Sequence, residues 1–149
     1  MKKRNRLFFL LLVPCLAFGQ VSTYPDRADF ETGFSNWVQS TADNFDWSLR
    51  SGASTPSSGT GPQIGPPWGG NGSDGYAFTE SSGANQNSQA WLECVYDMST
   101  LSDALLTFDY QMYSGDGGGY GPGALQLDVY DGTTWTYGIW SNIVSDPGW

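Results

Sequence analysis

The chain has 149 residues, with six basic against fifteen acidic side chains and no histidine. Without an imidazole it cannot run Ser-His-Asp or Cys-His nucleophilic catalysis, or bind zinc through histidine. The acidic balance repels nucleic acid and anionic lipid and favours a cationic partner or a bound metal ion.

Residues 1–19 read as a secretory signal peptide. Lys2, Lys3, Arg4 and Arg6 precede the mostly apolar run 7–18, and Ala17-Phe18-Gly19 offers small residues before a cleavage point. Twelve residues fall short of the ~20 that a membrane-spanning helix needs. A lipoprotein signal would place a small residue before Cys15, where Pro14 stands. Cleavage after Gly19 leaves a secreted chain of 130 residues, enough for one domain with a real core. That chain keeps two arginines, no lysine and all fifteen carboxylates, for a net charge of −13.

Residues 20–27 form a polar leader. A first strand is expected at 28–31, with Phe30 pointing inward and Thr32-Gly33 turning the chain. Two short strands follow at 37–39 and 47–50, separated by the acidic turn Asp43-Asn44-Phe45-Asp46. Residues 51–74 are rich in Gly, Pro and Ser and lack periodicity, so they read as a long loop over one end of the fold, anchored by Ile64 and Trp68. The run 75–80 (GYAFTE) alternates, with Tyr76 and Phe78 on one face. Residues 90–96 are apolar on both faces, as an inner strand would be. The clearest signal is 105–113 (LLTFDYQMY), where Leu106, Phe108, Tyr110 and Met112 alternate with Thr107, Asp109 and Gln111. Phe108 is therefore expected in the core and Asp109 in solvent. A glycine-rich turn at 114–122 leads to Leu125, Leu127 and Val129, which alternate with polar neighbours. Asp131-Gly132 then signals a hairpin into 134–140. Helical periodicity of useful length is absent after Phe18. The fold expected from these patterns is all-β, with two sheets packed face to face.

The chemistry-bearing residues point to binding. Glu31, Glu80 and Glu93 lie on separate segments, so no strand presents the paired acids of glycoside hydrolysis. The loop SGDGGGYGPG (114–123) has neither a lysine nor a following helix, which excludes a phosphate cradle. Glu31, Asp43 and Asp46 are the candidate metal ligands, hard oxygens of the kind calcium takes, although Asp and Asn also serve ordinary turns. Seven tryptophans raise carbohydrate stacking, and Trp68, in the Pro/Gly loop, is the candidate ligand-binding residue. Asn71-Gly72-Ser73 fits a glycosylation sequon. Once the signal is removed Cys94 stands alone. It is either an inert thiol within the strand at 90–96 or the partner of a cysteine beyond Trp149.

Taken in order, Phe30-Glu31, Trp37 and Gln39, DNFDW (43–47) and TPSSGTGP (55–62) resemble the opening of a MAM domain, the meprin/A5/receptor-phosphatase-mu module. GYAFTE, Ala90-Trp91-Leu92, LLTFDYQMYS and GALQLDVYDGTTW (123–135) continue the resemblance in the same order, from about residue 28 to 149. The resemblance implies a jelly-roll-type antiparallel β-sandwich that is not an enzyme, any catalytic activity lying in a domain beyond Trp149. It implies an extracellular adhesion or recognition role toward a protein or glycan at the cell surface, beside further domains. The alternative is a carbohydrate-binding module attached to a secreted hydrolase or protease. The resemblance also raises Glu31, with Asp43 behind it, as ligands of a structural calcium ion. Animal members carry paired cysteines that are lacking here. The family pattern runs past the segment at 145–149 with further strands and a closing acidic motif, so a domain incomplete at its C-terminus is expected.

Overall fold

The computed structural model describes residues 19–53, 55, 66, 74–80, 84–113 and 123–144. Residues 1–18, 81–83, 145–149, all of 114–122 and most of 51–74, including Ile64, Trp68 and Asn71-Gly72-Ser73, lie outside the described residues. Among the described residues six strands follow one another: β1 (Val38–Gln39), β2 (Ser48–Ser51), β3 (Gly75–Phe78), β4 (Leu92–Glu93), β5 (Leu125–Tyr130) and β6 (Trp135–Asn142). They pair as β1–β4, β2–β3 and β5–β6, each pair antiparallel. No helix occurs among the described residues, so the fold is all-β as the alternating patterns require.

Backbone hydrogen bonds beyond the strand ends, with one tyrosine hydroxyl, extend the short β1–β4 pairing. β1 and β4 match Val38 with Glu93 and Gln39 with Leu92. Beyond them, Ser40 N–H donates to Trp91 O at 3.0 Å and Asn44 N–H to Gln89 O at 3.3 Å. Ahead of β1, Val21 forms a parallel bridge with Tyr96. Its N–H donates to Val95 O, and its carbonyl accepts from Asp97 N–H, both at 2.8 Å. The Tyr24 hydroxyl ties the same region, donating to Asp97 O at 2.6 Å. In the second pair, Arg50 lies opposite Tyr76 and Ser51 opposite Gly75. Tyr76 is buried there, with the Phe78 ring 6.0 Å from its own, as the alternation of 75–80 predicts.

The β5–β6 hairpin closes where Asp131-Gly132 stands, with a four-residue loop. Asp131 Oδ1 accepts from Thr133 N–H and Thr134 N–H, each at 2.8 Å, and Gly132 takes a φ of +93°, a conformation glycine adopts without steric cost. Between Leu127 and Val129 the register shifts: Leu127 faces Trp140 while Val129 faces Thr136. The extra residues lie on β6, where Gly138 has a φ of +63° and donates its N–H to Asp128 Oδ1 at 2.7 Å. This is a bulge, pinned by a carboxylate from the neighbouring strand.

Three expectations are corrected. Residues 28–31 form no strand, because Phe30 takes a φ of +57°, which no extended segment tolerates. Its ring is half-buried and packs edge-on against Phe34. Residues 90–96 are not an inner strand buried on both faces: only Leu92–Glu93 are paired in a sheet, and Trp91 and Val95 are exposed. Residues 105–113 contribute no strand to a named sheet, and Phe108 is 43% exposed. Parity nonetheless survives in that segment. Phe108 and Tyr110 both meet the Trp140 ring, with centroids 5.0 and 4.9 Å away, and Met112 is buried. One indole covers what a full opposing layer was expected to cover, so the apolar face is only half removed from water. Among the described residues, the buried apolar side chains are Val21, Tyr76 and Met112.

Candidate functional site

Two polar junctions hold Glu31 and Asp43, two of the residues singled out from the sequence. At the first, the chain turns at Phe30 and directs Glu31 at the start of β3. Gly75 N–H donates to Glu31 Oε1 at 2.6 Å. The backbones come so close that a Cβ on Gly75 would lie 2.8 Å from Phe30 O and 3.0 Å from Glu31 N. Glycine is therefore required at this position by sterics, whatever its dihedral angles. Around this contact opens a shallow recess of about 240 Å³, lined by Phe30, Glu31, Leu49, Arg50, Ser51 and Gly75. Burial raises the Tyr76 hydroxyl above its ordinary range. Nearby Arg50 opposes that shift and Asp74 adds to it.

The second junction is the acidic turn between β1 and β2. The Gln39 side chain closes it, accepting from Trp47 N–H at 3.2 Å through Oε1 and donating through Nε2 to Trp47 O. The turn is then stitched to the segment before β4. Asp43 Oδ2 accepts from Trp91 N–H at 2.6 Å and Asn44 Oδ1 from Gln89 N–H at 2.8 Å, while Trp47 Nε1–H donates to Ala90 O at 2.9 Å. Asp46 is exposed in the same turn.

Glu31 and Asp43 thus serve different backbone amides, on β3 and ahead of β4. Among the described residues no three His, Cys, Asp or Glu side chains gather where they could hold a metal ion. Glu31, Asp43 and Asp46 are thus not gathered with one another around a single centre, as the oxygens about a calcium ion are. Arg50, a fixed cation, also lines the recess beside Glu31. In this structure Glu31 and Asp43 hold backbone amides. Trp68, the candidate ligand-binding residue, lies outside the described residues.

Cys94 is half-buried and unpaired. Burial pushes its thiol up, although a hydrogen bond with Tyr96 works against the shift. Tyr96 is itself raised, first by burial and then by its bond to Cys94. A thiol held protonated at neutral pH is a poor nucleophile.

Sequence reasoning missed Gly75 as a contact point and Gln39, Asn44 and Gln89 as fasteners. Gly75 stood at the head of an alternating run, where a glycine also reads as an ordinary strand start. The amides carried a fainter signal: Asn and Gln beside a turn are candidates for bonding to backbone groups.

No solved structure matches the chain. The family model described as MAM domain, meprin/A5/mu, matches residues 28–143, a span that takes in all six strands and both polar junctions. MAM domains are β-sandwich modules of extracellular and membrane proteins, generally adhesive and non-catalytic, and this chain belongs to that family.

Proposed function

We propose that the chain is an exported, non-catalytic recognition module that binds a protein or glycan at a cell surface. The observation that carries this reading is the family match across residues 28–143. Two features of the sequence support it. The basic start followed by a short apolar run has the form of an export signal. The chain beyond it carries two arginines against fifteen carboxylates, which disfavours nucleic acid and anionic lipid as partners.

The test is adhesion. Beads coated with the full chain are expected to adhere to cells, and pretreating those cells with protease or with glycosidases identifies the partner class. Loss of adhesion after protease alone indicates a protein, and loss after glycosidase a glycan. Beads that adhere no better than uncoated ones would remove the recognition role.

A further inference from the structure

The β5–β6 hairpin exposes an aromatic row that neither junction uses. Tyr130 and Trp135 face each other across the strands, with ring centroids 5.2 Å apart and planes 32° apart. Trp135 and Tyr137 stack at 6.0 Å and 15°. The three side chains are 51%, 46% and 70% exposed. Alternation along β5 puts Gln126 and Asp128 on the same face as Tyr130, and Gln126 Nε2–H donates to Asp128 Oδ1 at 2.7 Å. Asp128 Oδ1 also accepts from Gly138 N–H, which fixes the carboxylate at the bulge. Asp128 Oδ2 accepts no hydrogen bond among the described residues. Asp131, at the tip beside Tyr130, is held ionised by its turn amides.

A run of π-faces on the same side of the hairpin as the anchored Asp128 carboxylate is chemistry suited to a cation. Guanidinium and ammonium groups are attracted to the faces of Trp and Tyr, and their remaining donors match carboxylate oxygens. The charge of the chain points the same way, since the segment after the signal carries a net −13. Such a field draws cationic partners in and turns anionic ones away. A neutral sugar can stack on aromatic rings, but it gains nothing from that field.

We propose that this face docks a cationic segment of a partner protein, with arginine or lysine side chains stacked on Tyr130, Trp135 and Tyr137 and paired with Asp128. The inference rests on the recognition reading and names the chemistry of the partner. The probe is a synthetic (Arg-Thr)4 peptide, compared by calorimetry with its citrulline counterpart, which keeps the shape and removes the charge. With the full chain, the arginine peptide is expected to bind at least about tenfold more tightly than the citrulline one, and to weaken steeply with salt. Tyr137→Ala and Asp128→Asn are each expected to cost about fivefold to tenfold in affinity. Tyr137 is exposed enough for its removal to leave the melting curve in place. Equal binding of the two peptides, no binding of the arginine peptide, or full binding by a Tyr137→Ala chain that melts normally would each overturn the proposal. Bead adhesion separates the two readings. Wild-type beads that adhere, with Tyr137→Ala beads adhering equally, overturn the cationic dock and leave recognition standing. Failure of wild-type beads and of the peptide overturns both.

Discussion

Gly75 and Glu31 are 44 residues apart in the chain and meet at 2.6 Å, the Gly75 N–H donating to Glu31 Oε1. The contact joins a segment with no regular structure to the first residue of a strand. It fixes where residues 28–34 lie against the β2–β3 pair. Gly75→Ala is expected to destabilise the fold by about 1–3 kcal/mol, because the neighbours of the new methyl group are rigid backbone atoms, not side chains that can swing away. Chemical denaturation checks this. A variant as stable as wild type would mean that the backbones separate without cost.

Among the described residues Glu31 and Asp43 share no hydrogen-bond partner. Glu31→Gln and Asp43→Asn are each expected to cost about 1 kcal/mol or less, since an amide oxygen still accepts from the backbone. Their effects are expected to add in the double variant and to be the same with calcium and with a chelator. Thermal melts of the four proteins in both conditions provide the measurement. A calcium-dependent rise in melting temperature, lost in both single variants, would show instead that the two carboxylates ligate one ion.

The parts of the fold legible in the sequence were those written in alternation or in turn chemistry. Tyr76 and Phe78 share a face as their spacing requires, and Asp131-Gly132 closes the hairpin it announced. Alternation at 105–113 told which side chains face together, since Phe108 and Tyr110 both reach Trp140. It was silent on how much would cover them, because burial depends on the opposing layer and not on the segment itself. At Phe30 the local pattern misled: a left-handed residue inside an apolar, strand-like run leaves no mark in composition. The junctions were hidden for a related reason. Gln39, Asn44 and Gln89 act on backbone groups brought near by folding, and a sequence does not display those partners.

Trp140 is the common partner of Phe108 and Tyr110, so the ring contacts there converge on one side chain. Phe108→Ala is expected to cost about 1–2 kcal/mol, below the ~3–5 of a fully buried phenylalanine, because nearly half of its surface already faces solvent. A Phe108/Trp140 double-variant cycle is expected to give a coupling of about 0.5–1.5 kcal/mol, the range of an edge-to-face pair. No measurable coupling would show that the two rings contribute independently.

Asp131 gives the hairpin a defined response to acid. The amides of Thr134 and then Thr133 donate to its carboxylate and lower its pKa below the ordinary aspartate value of about 3.9. The folded form thus holds the ionised group more favourably than the unfolded chain does. Its contribution to stability is fully present above the unfolded pKa and is lost as pH falls through the folded one. The window therefore lies below about pH 4, and neutral conditions leave the turn unaffected. Asp131→Asn keeps an oxygen for the two amides and removes the titration. Amide chemical shifts of Thr133 and Thr134, followed from pH 6 to pH 2, are expected to move with a midpoint below 3.9 in the wild type and to show no such step in the variant. A wild-type midpoint at or above that of an ordinary aspartate would mean that the carboxylate is not the acceptor holding this turn.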